Sequence, residues 1–207
     1  MSRSICCAFW LTLIVATAPI EAAGPVTIGE KTVLVYRNEV QKERHQFVLR
    51  IARFRPDIFL EWESRDHQGT VHIYRKAVAE AKMFTLSSLF EIGVDTEGKK
   101  VTTKWLSRKL FRRLLNDGEV ELKLNRIEAS LRVVGERALT VRLNRKPAEL
   151  PGIEVEDSRN GRWLFLNDPE NPLVMEYSTT HYREVLEAVS TDPKNKLRWI
   201  RKLPPVK

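Results

Sequence analysis

The chain has 207 residues, of which 43% are hydrophobic, and a formal net charge of +8. This length is ample for one packed core and suggests a single domain. Its two cysteines, Cys6 and Cys7, both lie in an apolar N-terminal run. If export removes that run, the remaining chain contains no cysteine, which excludes disulfides, a thiolate nucleophile and cysteine-ligated zinc.

The first residues have the layout of a secretory signal peptide. Arg3 precedes an almost unbroken apolar run over residues 5–18, and small residues follow it. This run is too short for a comfortable membrane span. The sequence therefore predicts a signal peptide over residues 1–22 and a single β-rich domain over residues 23–207, with an uncleaved N-terminal anchor as the alternative.

An export signal changes which partners a basic protein is expected to bind. The sequence pI is near 9.6, which in an intracellular protein would suggest nucleic acid. Outside the cytoplasm, anionic lipid or another envelope component is the natural counterpart, and nucleic acid is not expected. The sequence therefore predicts a secreted or periplasmic protein, with solubility as the simpler explanation of its charge.

Most of the chain after residue 31 alternates apolar and polar residues, which is the pattern of antiparallel strands. Turn residues separate these segments: residues 135–137 are predicted as one hairpin turn, and the pair Asn160–Gly161 as another. The predicted strands cover residues 32–40, 45–54, 58–65, 70–76, 119–125, 129–135, 138–145, 153–158, 162–168 and 172–178. We expect a mainly β fold: a single antiparallel curved sheet or partly open barrel with one or two covering helices.

Residues 104–115 are predicted to form the clearest helix, with Thr103 as its N-cap and Gly118 just past its end. Leucines recur along this stretch at every fourth position, as the apolar face of a helix requires. Residues 181–189 also carry helical spacing, although a last strand of the sheet is the alternative. The spacing favours a helix over a strand there.

The side of the first helix opposite its leucines is strongly basic. A basic amphipathic helix can lie in a membrane interface, where each cation near an anionic leaflet contributes about 1 kcal/mol. In a β-rich protein, such a helix more often covers a sheet and leaves only its charges outside, which is the arrangement that we favour. The candidate contacts to an anionic surface are Arg108, Lys109, Arg112 and Arg113, and Lys104 lies on the same side.

A curved sheet with a helix over one face can enclose an apolar pocket that holds acyl chains. Large aromatic side chains are the expected lining of such a pocket, and membership of an ordinary core is the alternative for each of them. The candidate ligand-binding residues are Trp62, Trp105, Phe111, Trp163 and Phe165.

Two groups of acidic residues could instead support a carboxylate-dependent hydrolase. Paired carboxylates divide acid and base roles when one of them is desolvated. No nucleophile-elbow or phosphate-loop motif accompanies them, and the four histidines lack metal-ligand spacing. We therefore predict no metal and no cofactor, and rank catalysis behind binding. The candidate acid–base residues are Glu61, Glu63, Asp66 and His67 in one group, and Asp157 facing Asp168 in the other.

Two stretches together resemble exported bacterial proteins of unknown function. They are "TTKWLSRKLFRRL" at 102–114 and "RWLFLNDPENPLVMEY" at 162–177, in which a D-P-x-N-P-L turn joins two late strands. The resemblance covers the second half of the chain. It implies an antiparallel β-fold in the cell envelope, similar to the curved-sheet lipoprotein-carrier proteins, and it carries no catalytic residues.

These observations favour an exported envelope protein that binds an apolar or anionic amphiphile, or another envelope component, without catalysing a reaction. The hydrolase is one alternative and predicts a carboxylate with an abnormal pKa in a cleft. A structural partner in an envelope complex is the other, and predicts a flat exposed apolar patch.

Overall fold

The computed structural model describes residues 26–191, except residues 42, 66, 87 and 91–94. The first half forms four consecutive strands and then short elements. These are β1 (Val33–Val40), β2 (Glu43–Arg53), β3 (Ile58–Ser64), β4 (His67–Ile73), α1 (Arg75–Glu80), β5 (Met83–Phe84), β6 (Asp95–Gly98) and β7 (Val101–Thr102).

The second half begins with the longer helix and continues as a run of strands. These elements are α2 (Arg108–Asp117), β8 (Glu119–Leu124), β9 (Ile127–Leu143), β10 (Lys146–Asp157), β11 (Arg162–Leu166), β12 (Val174–Ser178) and β13 (Tyr182–Ser190). No helix within the described ranges is both long and apolar enough to cross a membrane. The predicted signal peptide lies outside the described residues.

All thirteen described strands belong to one sheet, in the order β6-β4-β3-β2-β1-β13-β12-β11-β10-β9-β8-β5-β7. Neighbours are antiparallel except where β5 and β6 join the sheet. β13 also pairs with β9 in parallel at Ala188 and Arg142, so the five strands from β9 to β13 curl until the first meets the last. The sheet as a whole is not a closed barrel in its described part. The predicted mainly β fold, with one antiparallel-dominated curved sheet and two helices, is confirmed.

The helix α2 covers one face of the second half of the sheet. Its side chains Leu110, Phe111 and Leu114 are each at most 4% exposed and pack in one cluster with Ile153 and Phe165 from β10 and β11. Full burial of such a side chain contributes about 1.5–3 kcal/mol. The apolar side of the helix is therefore used by the core, as we expected, and only its charged side faces outward.

The predicted start of this helix is wrong by one turn. Ser107, not Thr103, is the N-cap, and its hydroxyl oxygen accepts a hydrogen bond from the Leu110 amide at 3.4 Å. The preceding residues are held against the D-P-x-N-P-L turn, since the Leu106 amide donates to the Pro172 carbonyl at 3.1 Å. The predicted end is confirmed: Gly118 adopts a left-handed conformation with φ 76°.

Two further predictions are corrected. Residues 135–137 do not form a turn but lie inside the single long strand β9, where a change of register leaves Val134 as a bulge opposite β10. Residues 182–189 lie in β13 and not in a helix, because that strand pairs with β1 along one edge and with β12 along the other, and side chains on both of its faces are buried. The turn at Asn160–Gly161 is confirmed, with φ 64° at Asn160.

Candidate functional site

Two open depressions meet on the face of the sheet opposite α2. The first has a volume of about 540 Å³ and is bordered by residues of β9 to β13, including Arg137, Glu154 and Glu176. The second has a volume of about 580 Å³ and is bordered by β1, β2 and the β12–β13 turn. Both include Ser178 and Arg183. We call the residues that line these two depressions the rim groove.

A row of polar side chains crosses seven strands, and all of its members except Arg132 line the rim groove. Residues directly opposite each other in antiparallel pairs lie on the same face of a sheet. The pairings between neighbouring strands are continuous from β9 to β2, so one line of residues crosses them all. This charged row consists of Arg132, Glu156, Arg162, Ser178, Arg183, Glu39 and Arg44.

Ion pairs join neighbouring members at the two ends of the charged row. Glu156 lies between Arg162 at 3.4 Å and Arg132 at 3.6 Å. At the other end, Arg44 pairs with Glu39 at 2.8 Å. Every residue of the row is at least partly exposed. The row therefore presents an ordered series of guanidinium, carboxylate and hydroxyl groups to the outside.

Glu176 forms the floor of the rim groove beside this row and is 8% exposed. Arg137 donates to one carboxylate oxygen at 2.8 Å, and Arg183 donates to the other through two nitrogens at 2.8 and 3.0 Å. Burial alone would raise the pKa of Glu176, but the hydrogen bonds from the two arginines hold it below its ordinary value. The carboxylate therefore stays ionised and is unsuited to donate a proton.

A second polar group lies beneath the groove. The Lys104 ammonium group pairs with Glu184, and the Tyr182 hydroxyl donates to the other carboxylate oxygen of Glu184 at 2.9 Å. Tyr182 borders the rim groove, whereas Lys104 and Glu184 are 3% and 2% exposed. The sequence pattern had placed Lys104 on the exposed cationic side of the helix. This placement is wrong, because Lys104 is buried and α2 begins only at Arg108.

The five aromatic candidates for ligand binding are all core residues, each at most 5% exposed. Trp62 and Trp105 belong to a core cluster with residues from both halves of the sheet, and Phe111, Trp163 and Phe165 belong to the cluster under α2. The structure does not bring them together in one pocket, although Trp163 borders the first depression. Their role in binding stays a prediction.

The candidate contacts to an anionic surface lie on the outer side of α2, away from the rim groove. Arg108 and Arg112 both pair with Glu170, and Arg113 pairs with Asp117 at 3.6 Å. Lys109 is exposed beside them. Local acidic partners thus reduce the charge that this side offers to a surface.

The two hydrolase groups are not assembled as acid–base pairs. Glu61 pairs with Arg50 at 3.1 Å on the exposed sheet face, and Asp66 lies outside the described residues. Asp157 and Asp168 lie at opposite ends of the β10–β11 hairpin, so the prediction that they face each other is wrong. Asp157 instead accepts hydrogen bonds from the turn that it precedes and from the Trp163 ring nitrogen at 2.8 Å.

His67 and Glu63 also lie on separate positions of the β3–β4 hairpin, opposite Ser64 and Gln68 respectively. His67 is exposed. In the part of the chain that the structure describes, no group of three or more histidine, cysteine, aspartate or glutamate residues is arranged to hold a metal ion.

The charged row is not recognisable in the sequence because its members come from seven separate strands. Locally, the only signal is a polar residue at alternate positions, as in Glu154 and Glu156 of β10. This signal is shared by every half-exposed strand. Only the register between strands shows that these residues form one line.

No family model, curated protein or solved structure matches this chain. The resemblance to exported β-proteins therefore stays a prediction. In the structure, the two stretches that carry this resemblance contact each other directly. The Trp105 ring nitrogen donates to Asn171 at 2.6 Å, and the Val174 amide donates to the Lys104 carbonyl at 2.7 Å.

Proposed function

We propose that this chain is an exported protein of the cell envelope that binds an envelope component in the rim groove without catalysing a reaction. The observation that carries the proposal is the charged row, which runs without a break through two open depressions. Depressions of this size accommodate ligands of several rings or sugar units.

The ionic partners in the groove favour binding over catalysis. Glu156, Glu39 and Glu154 each pair with an arginine at 3.4 Å or less, and Glu176 is held ionised by two arginines. A general acid needs a carboxyl group whose pKa is raised toward neutrality. Fixed guanidinium and carboxylate groups instead suit recognition, because each presents two hydrogen-bonding atoms in one plane.

The exposed surface favours a polar ligand over an acyl chain or an apolar protein partner. Among the described residues, the large hydrophobic side chains that are exposed are Val40 on β1, and Ile127 and Val134, which are separated by six residues along β9. Single exposed apolar residues of this kind do not form a docking patch.

The proposal is tested by co-sedimentation of residues 23–207 with isolated bacterial envelopes. The test variant carries Arg44→Gln and Arg162→Gln, one exposed arginine from each depression. The control carries Arg50→Gln and Arg113→Gln, which also pair with acidic residues but lie outside the groove. We expect the test variant to bind about tenfold more weakly, since it loses charge-assisted hydrogen bonds.

The control should bind like the unchanged protein, and circular dichroism should show that both variants are folded. Equal loss in the two variants would mean that net charge, and not the groove, determines binding. An absence of any sedimentation with envelopes would overturn the proposed function.

A further inference from the structure

We propose that the ligand of the rim groove is an extended saccharide chain, neutral or zwitterionic, that runs along the charged row across the strands. This inference rests on the proposed function and specifies the class of its ligand. Four features of the groove carry it: its length, its balance of charge, its polar surface and its fully paired strands.

The rim groove is long and continuous. Strands in a sheet lie about 4.8 Å apart, so the part of the row that lines the groove, across six strands, measures roughly 24 Å along the sheet surface. The polar groups of the charged row recur once per strand over this length. A regular series of this kind suits a chain with a repeating polar unit better than a single compact molecule.

The charge of the groove is balanced, unlike that of the whole protein. Four arginines and four glutamates line the two depressions: Arg44, Arg137, Arg162, Arg183, Glu39, Glu154, Glu156 and Glu176. A polyphosphate or an anionic lipid surface would meet as many carboxylates as guanidinium groups. Electrostatic complementarity therefore favours a ligand without a large net charge.

The surface chemistry of the groove suits hydroxyl and acetamido groups. Three side-chain hydroxyl groups line the second depression, those of Ser178, Thr179 and Thr180. The aromatic ring of Tyr182 borders the same depression. Paired arginine and glutamate side chains supply planar donors and acceptors that can each bind two neighbouring groups of a sugar. Val134 is the large exposed hydrophobic residue here, which leaves an acyl chain little to contact.

The strand pairing argues against an extended peptide as the ligand. Peptides commonly bind a sheet by adding a strand to a free edge. Where they cross the groove, the strands β10, β11, β12, β13 and β1 are each paired on both sides. The groove therefore recognises its ligand through side chains alone.

The test uses residues 23–207 on a printed array of neutral, zwitterionic and acidic glycans, from disaccharides to octasaccharides. We expect binding to neutral or zwitterionic chains that strengthens with chain length, and a loss of about tenfold with Arg44→Gln and Arg162→Gln. Ser178→Trp places a large ring at the junction of the two depressions. It should remove the dependence on chain length, whereas Gln68→Trp on the exposed strand β4 should not.

The possible outcomes distinguish a wrong class of ligand from a wrong binding site. Loss of envelope binding in the arginine variant without any binding to the array would overturn the saccharide and leave the groove as a binding site. Binding that requires phosphatidylglycerol vesicles, or that disappears when envelopes are treated with protease, would overturn it in favour of a lipid or a protein. No binding to envelopes or array would overturn both proposals.

Discussion

Lys104 depends on a single carboxylate for its charged state. The rings of Tyr36, Phe47 and Phe90 lie 4.7, 5.0 and 5.7 Å from its ammonium nitrogen, an arrangement that attracts a cation. Burial lowers the pKa of Lys104, and the nearby Glu184 opposes that shift. Loss of Glu184 would therefore leave a desolvated ammonium group with only ring faces around it.

Replacing Glu184 by Gln should consequently destabilise the protein. We expect the free energy of unfolding to fall by about 3–5 kcal/mol, the usual effect of removing one partner of a buried ion pair. The double variant Lys104→Met with Glu184→Leu removes both charges and should recover most of that loss. Urea unfolding at neutral pH measures all three proteins. A double variant as unstable as the single one would contradict this account.

Glu176 should make stability depend on pH in a defined direction. Its pKa is lower in the folded protein than the ordinary value of about 4.3. The ionised carboxylate therefore contributes stability that is complete above about pH 4.3 and is lost as pH falls through the lower folded value. We expect Glu176→Gln to flatten the decrease in the free energy of unfolding below about pH 4.3.

Urea unfolding at a series of acidic pH values measures this difference. Glu61→Gln is the matched control, because Glu61 also pairs with an arginine but its side chain is 51% exposed. The idea fails if Glu176→Gln keeps the full acid sensitivity of the unchanged protein.

Among the elements, α2 was predictable in kind and at its end but not at its start. The leucine spacing and Gly118 are signals that can be recognised within the helix segment itself. Its start depends on a distant segment, since the chain at Lys104 and Leu106 is hydrogen bonded to the first residue of β12 and to the turn before that strand. Thr103 and Ser107 are both acceptable N-caps by residue type, and that remote contact decides between them.

The exposed side of α2 should contribute little to membrane binding. Its apolar side is buried, and three of its cations pair with local acidic residues, pairs that are individually weak. We expect sedimentation with anionic vesicles to change by less than about twofold when its cations are replaced by Gln. The substitutions are Arg108→Gln, Lys109→Gln, Arg112→Gln and Arg113→Gln.

Sedimentation is measured at low and at moderate salt, and zwitterionic vesicles serve as the control. Salt-sensitive binding to anionic vesicles alone, lost in the quadruple variant, would show instead that α2 is a surface contact.

The strand β10 shows why some strand residues escape prediction. Pro147 and Pro151 argue against a strand over residues 146–152, because proline cannot donate a ladder hydrogen bond. In the structure, the Pro151 carbonyl accepts from the Asn167 amide, so this residue points toward β11. The pairing between these two strands starts only at Gly152. The missing amide hydrogen of Pro151 therefore interrupts no strand pairing.

At the scale of the whole molecule, fold class was accessible from the sequence and the site was not. Alternation and turn residues are local, and they were enough to predict one curved antiparallel sheet. The charged row requires the register of six strand pairs, and one of them joins Glu39 to Arg183 across most of the chain. A one-residue shift in any of those pairs would move part of the row to the opposite face.

The position of β13 also has a consequence for the order in which the protein folds. This last described strand lies in the middle of the sheet, and it pairs with β1, β12 and β9. Val33 of β1 lies opposite Ser190 of β13. The edge of β1 that pairs with β13 therefore has no partner until nearly the whole chain is free to fold. Contacts this distant in sequence form slowly. If the exported chain crosses the membrane unfolded, it completes its sheet only after translocation.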